Sequence, residues 1–383
     1  MRYRLTCLSP LLVGDGHKLS PIDYMVWKDQ VNVLDQRRIF RLLSKGPRLD
    51  GYLSQLKKAD KLDFASWGGF AQNYADRRIP FEHHSAAVQW ERAQGESLHL
   101  PEFCSGPNGQ YLPGSAIKGA LRTGMLFARW TNGSAPKFDT LETERVQRHP
   151  ARFIEEQAIG TPGASFMRAL KIGDSNPVAA GFAKLYLLRV STLVARGEGK
   201  YELGWKQAPR GTVAANRSED STPWFAEMAA PGTVFEGAWR ENPFLAQPEI
   251  VRALRWREPV TSARAFSAAN KYAARLIAVQ KQYAEQAGLP ALGSGLEAIG
   301  ARLAEAESSG NACVLSMGWG SGLLAKSGWL DTADESYRHA LEQVPLYARA
   351  LRTGMPFPKT RRIVFLEGQP AVLPGWALLE VSE

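Results

Sequence analysis

The stretch YLPGSAIKGALRTGMLF, Tyr111 to Phe127, restricts this chain more than any other part of it. A Pro-Gly turn ends the extended run before it, because proline fixes φ and lacks an N–H while glycine tolerates conformations that other residues avoid. From Ser115 onward, Ile117, Ala120, Leu121, Gly124 and Ala128 recur at three- and four-residue spacing. That spacing predicts a helix with a small-residue face that can lie close on a sheet. Lys118 and Arg122 fall one turn apart on a different face, and Ser115 is placed to cap the helix. Three readings are open here: an anion site at the helix N-terminus, a nucleotide phosphate loop, or an ordinary helix with a solvated basic face. The phosphate loop GxxxxGK[ST] needs lysine after its second glycine, whereas Lys118 precedes Gly119, so an NTPase is disfavoured.

The flanking sequence supplies strands. YRLTCLSPLLV reads as a strand broken at Pro10 that runs into the turn GDGH, and YMVWKDQVNVLD as a hairpin turning at Lys28-Asp29. Gln36 to Leu43 and Leu49 to Lys58 read as helices. Thr131 to Ala151 is a polar excursion, after which MRALKIGDSNP ends in a turn and YLLRVSTLVA is strongly β-prone. Arg264 to Ala284 is a long helical pattern, LPALGSGLEAIG a break, and CVLSMGWGSGLLAKSGWL a strand, a glycine-rich loop and a helix start. A helix around Tyr337 to Thr353, the turn PFPKT and two strands, RRIVFLE and GWALLEVSE, close the chain. Strands and helices alternate irregularly, which predicts an α+β arrangement rather than a doubly wound parallel sheet.

Composition narrows the partners. Lys and Arg outnumber Asp and Glu by 47 to 38, for a net +9. That surplus favours a polyanion, whose binding is driven by counterion release. No apolar run approaches the roughly 18–20 residues that span a bilayer, so no membrane contact is expected. The N-terminal segment lacks an apolar h-region and a small-residue cleavage site, and the three cysteines form no CxxC pair. A cytoplasmic protein in a reducing compartment fits both facts.

Catalytic and metal-binding candidates are sparse. FEHHS offers two adjacent imidazoles, but neighbours on a strand face opposite ways and no third ligand completes a metal site, so no cofactor is expected. His17 in its glycine turn, beside Lys18, is the one candidate acid or base. Gly318, Gly320 and Gly322 in MGWGSGLLAKSG allow close backbone approach to a ligand, with Lys326 nearby. PFPKTRRIVF places Lys359, Arg361 and Arg362 at a strand start, where edge-strand charge is the plainer reading.

Together these segments resemble the RAMP superfamily of CRISPR proteins, and most closely the family of the fifth Csm subunit of the type III-A effector complex. LSPLLVGDG is similar to that family's strand and glycine turn, and YLPGSAIKGALRT to its most recognisable motif. ALKIGDSNP, SMGWGSGLLAKSG and FPKTRRI resemble its later segments, in family order, so that the resemblance runs from Leu8 to about Ile363. It implies two ferredoxin-like (RRM-type) domains with helical and loop insertions, divided at 1–178 and 179–383. It further implies a non-catalytic subunit that binds crRNA at the 3′-guide end of the complex, with a role in assembly and crRNA maturation. The implied neighbours are the backbone RAMP subunit and the small helical subunit, with target RNA as a further contact. On this resemblance Lys118 and Arg122 contact guide phosphates with the backbone of Gly114 and Ser115. Gly318, Gly320, Ser321 and Gly322 pass close to RNA beside Lys326, Lys359 and Arg361, with His17 and Lys18 in the N-terminal turn. Two rivals remain: an endoribonuclease of repeat RNA using His17, as other RAMP proteins are, and a purely structural assembly subunit.

Overall fold

Strands from both ends of the chain share one antiparallel sheet. The computed structural model describes residues 1–58, 60–62, 73–132, 135–138, 151–197, 199–209, 212–351 and 355–382. In this first sheet the spatial order is β14 (Ala312–Ser316), β17 (Trp376–Ser382), β1 (Arg2–Cys7), β13 (Val234–Glu241) and β9 (Leu170–Ser175). Tyr3, Leu5 and Cys7 alternate inward along β1, as a half-buried strand of period two requires. β17 lies second from the edge, and its first four residues, Trp376 to Leu379, are all buried.

Two long helices cover this sheet. α4 (Gly114–Thr131) packs on β9, and α7 (Ser262–Gln286), whose N-terminal Thr261 side chain accepts from the Arg264 N–H, packs on β14. The predicted small-residue face is real, but its closest partner is the neighbouring helix: a Cβ at Gly124 would stand 2.7 Å from the Ala269 Cα. Ile117, Leu121, Met125, Leu126 and Trp130 are buried along α4, each contributing about 1.5–3 kcal/mol.

A second antiparallel sheet is built on β10 (Ala183–Ala195). One edge of β10 pairs with β15 (Thr360–Leu366), which pairs with β16 (Gln369–Val372). β10 also pairs with β12 (Trp224–Ala229) and with β11 (Tyr201–Trp205). α8 (Pro290–Ser309) packs against α7 and β16. The first sheet draws β1 and β9 from before residue 178 and β13, β14 and β17 from after it. The sheets thus interleave along the chain, because β pairing is set by tertiary partners rather than by sequence distance.

Between β1 and α4 lies an inserted lobe. A three-stranded sheet of β3 (Tyr24–Trp27), β4 (Gln30–Leu34) and β5 (Ala75–Pro80) carries α1 (Gln36–Leu43) and α2 (Leu49–Lys58) on a small core of Met25, Leu34, Ile39, Leu43 and Tyr52. The β3–β4 turn holds Lys28 at φ 50° and Asp29 at φ 54°, the conformation that a two-residue hairpin favours. Arg77 fastens the lobe to the body. Its guanidinium donates to Glu102 at 2.6 Å and to Glu227, a buried carboxylate on β12 that also accepts from the Phe103 N–H and the Gln110 amide. α3 (His84–Arg92) follows, then β2 (Lys18–Leu19) with β6 (Leu100–Pro101), and the hairpin of β7 (Ser105–Gly106) and β8 (Gly109–Gln110).

Other expectations shift. LPALGSGLEAIG is the start of α8 rather than a break, and the pattern from Tyr337 becomes α10 (Glu335–Glu342) and α11 (Pro345–Ala348). Positions 352–354 lie outside the described residues. So do 133–134 and 139–150 of the polar excursion, which leads to α5 (Arg152–Ile159). α6 (Pro248–Ala253) and α9 (Leu324–Ser327) complete the α-helices among the described residues. No helix among the described residues is long and apolar enough to cross a membrane.

Candidate functional site

The sequence motifs meet in pairs. LSPLLVGDG lies against the glycine loop: Trp319 N–H donates to the Leu12 carbonyl at 2.7 Å, and Gly375 N–H to the Pro10 carbonyl at 2.9 Å. Met317 N–H donates to the Gly375 carbonyl at 2.8 Å, closing the junction. YLPGS lies against IGDSN: Gly114 N–H donates to Asp174 Oδ1 and Leu112 N–H to the buried Ser175 Oγ, each at 2.9 Å.

Gly318, Gly320 and Gly322 all have positive φ, from 82° to 86°, the region that favours glycine. At Gly318 a Cβ would overlap the Leu12 carbonyl oxygen, so glycine is needed there for space as well. Ser321 Oγ donates to the Gly318 carbonyl and stiffens the loop. The N–H groups of Gly320 and Gly322 donate no hydrogen bond among the described residues. Two cations stand beside them. The Arg362 guanidinium stacks 4.4 Å from the Trp319 ring centre, with Trp224 at 5.9 Å, and its Nε has no partner among the described residues. Lys326 is exposed at the foot of the loop. Burial of its stem and the nearby Arg362 both lower its pKa.

α4 presents Ser115, Lys118 and Arg122 along its outer face. Ser115 is not the cap that its sequence position suggests, because the helix begins at Gly114. Asp174 takes the Gly114 N–H instead, so a carboxylate of the protein already occupies the positive end of the helix dipole. Asp174 thus bonds across to α4. Lys118 Nζ donates to the Leu170 carbonyl at 2.9 Å; burial, then Lys171, lowers its pKa. Ser115, Lys118, Lys171, Asp174 and Arg240 line one open depression at the β9 edge. Arg122 donates to Glu155 on α5 at 2.5 Å. Glu155 also lines a groove with Gly322 and Lys326, which links the α4 face to the glycine loop.

The remaining candidates separate. Arg361 is buried and lowered to about 10 by desolvation; it donates to Gln280 and to the Pro358 and Thr360 carbonyls beneath the Tyr283 ring. It is a core guanidinium, and its neighbour Arg362 takes the place at the loop. Adjacent residues on a strand face opposite ways, so only one of the pair could reach it. Lys359 is half-buried just before β15, and its carbonyl accepts from the Leu193 N–H. His17 and Lys18 are exposed on the N-terminal turn, where Asp15 accepts from the His17 backbone N–H. Sequence reasoning missed Trp319, Trp224, Lys171 and Glu155. Only Trp319, inside the GWGSG run, carried a sequence signal.

Residues 4–258 match the RAMP superfamily. The CRISPR system Cms protein Csm5 of Methanocaldococcus jannaschii is 22% identical over 205 residues, 49% of this chain and 46% of that protein. The chain thus spans about half the length of the curated relative it matches. Solved structures also share the fold, two of which illustrate it. One is a chain of the cryo-EM structure of a Csm-crRNA-target RNA ternary complex of the type III-A CRISPR-Cas system, with TM-score 0.67, 20% identity, and 99% and 100% of the two chains covered. The other is the crystal structure of T. onnurineus Csm5, with TM-score 0.60, 17% identity, and coverage of 98% and 99%.

Proposed function

The chain belongs to the RAMP superfamily, and from that premise we propose that it is a non-catalytic, RNA-binding subunit of a cytoplasmic type III-A Csm complex. In this reading it holds crRNA at the 3′-guide end, contacts the backbone RAMP subunit and the small helical subunit, meets target RNA, and contributes to assembly and crRNA maturation. The first sheet supports a ferredoxin-like reading: β17-β1-β13-β9 are adjacent, with α4 between β1 and β9 and α7 between β13 and β17 in the chain. The second sheet is read as a second, more divergent domain.

The observation that carries the RNA reading is the glycine loop. Its positive-φ glycines leave backbone N–H groups open beside Lys326 and Arg362, the combination that receives a phosphate. Ser115 and Lys118 extend the path along α4, while Arg122 positions α5 through Glu155. Gly114, bonded to Asp174, and Arg361, in the core, support the fold rather than the RNA.

Charge reversal tests this. Lys118→Glu with Lys326→Glu should weaken guide binding at least tenfold whatever the RNA sequence. It should also reduce the slope of log affinity against log salt by about 1.4, at roughly 0.7 per phosphate contact on a single strand. Unchanged affinity and slope would remove the assignment. Specific cleavage of repeat RNA in chelator, abolished by His17→Ala, would replace the non-catalytic role with the endoribonuclease.

A further inference from the structure

The charge of this protein is concentrated away from the glycine loop. Gln36 to Lys58, which form α1 and α2 of the inserted lobe, contain seven basic residues and one acidic, Asp50: a net +6 out of the whole chain's +9. Ile39 and Leu43 turn inward, and Arg37, Arg41 and Lys45 are exposed on the outside. Arg37 and Arg41 stand four residues apart on α1, with Cβ atoms about 6 Å apart, a pairing of like charges that destabilises an isolated helix, and Lys45 follows two residues beyond the end of α1 at Leu43. None of the three has an ion-pair partner among the described residues. Phe40 is 50% exposed in the same row.

We infer that the outer face of α1 is a second RNA-binding surface, which takes the phosphates of a single-stranded segment along Arg37, Arg41 and Lys45 and a base against Phe40. A basic track with an aromatic ring in it is what single-strand binders use, since every base has a face to stack while the cations follow the backbone. A purely apolar protein partner would leave the charges desolvated and unpaired. The lobe holds the face firmly, because Arg77 bridges Glu102 and Glu227 at its base. The inference rests on the RNA-binding reading above but uses different residues.

The test uses the full-length chain, labelled polyuridine RNA long enough to reach both surfaces, and three proteins: wild type, Arg37→Ala/Arg41→Ala/Lys45→Ala, and Lys326→Ala. The α1 variant should bind at least tenfold more weakly, with a salt slope lower by about 2, from three contacts at roughly 0.7 each. Its thermal midpoint should be equal or higher, because like-charge repulsion is removed. Phe40→Ala should lower affinity without changing the slope. An α1 variant that binds like wild type while Lys326→Ala is impaired overturns this inference alone. An impaired α1 variant beside an intact Lys326→Ala supports it and removes the glycine-loop reading. Wild type that binds no RNA removes both. Loss of a neighbouring subunit with RNA affinity intact makes the face a protein contact, which also overturns it.

Discussion

Gly318 shows how one residue sets the site. Its φ of 82° and the Leu12 carbonyl packed on its Cα each exclude a side chain. Gly318→Ala should destabilise the protein by about 3 kcal/mol, from strain and displaced backbone, seen as a lower thermal midpoint. Gly322→Ala, with the same φ range but open space around it, should cost only the conformational part. Equal midpoints for Gly318→Ala and wild type would mean that the junction with Leu12 is not rigid. At this scale the sequence was partly readable. GWGSG announced close backbone approach, because glycine carries no Cβ, and Gly318 does lie against the Leu12 backbone. The adjacent pair Arg361 and Arg362 did not reveal which one faces the loop. That depends on Gln280 and Tyr283, which are about 80 residues away in the chain and beneath only one side of β15.

Among the elements, the most consequential joint is the one that secures the inserted lobe. Arg77 is the cation that balances the buried Glu227. Arg77→Ala would leave that carboxylate uncompensated and should cost about 3 kcal/mol or more of stability by thermal denaturation. Adding Glu227→Gln to that variant should recover part of the loss, because the amide carries no charge to leave unpaired. Failure of the second substitution to recover any stability would assign the lobe's attachment to the Phe81–Leu185 bridge and the surrounding apolar contacts instead. Elements governed by local chemistry were readable in advance: the Lys28-Asp29 hairpin, α1 and α2 all fall where the sequence places them. α8 was not readable, because Gly293, Gly295 and Gly300 imitate a loop. Gly295 faces β16, where an added Cβ would lie 3.2 Å from Val372, so this glycine serves helix–sheet packing. The cap of α4 was misplaced for a related reason, since Asp174 reaches it from 60 residues away.

For the whole molecule, the α+β class follows from the mixture of strand and helix patterns. The interleaving of the sheets does not, because β1 finds β17 and β13 through pairings that no local pattern encodes. That interleaving matters for function. It brings the N-terminal strand, the glycine loop and the C-terminal strands to one junction, where motifs more than 300 residues apart touch through Leu12 and Trp319. The central claim is that RNA runs over this junction. Ultraviolet cross-linking of the assembled complex, followed by mass spectrometry of the attached peptides, tests it most directly. RNA adducts on the segment from Met317 to Lys326, Trp319 among them, are the predicted result. Abundant adducts elsewhere on the chain and none on that segment would contradict it.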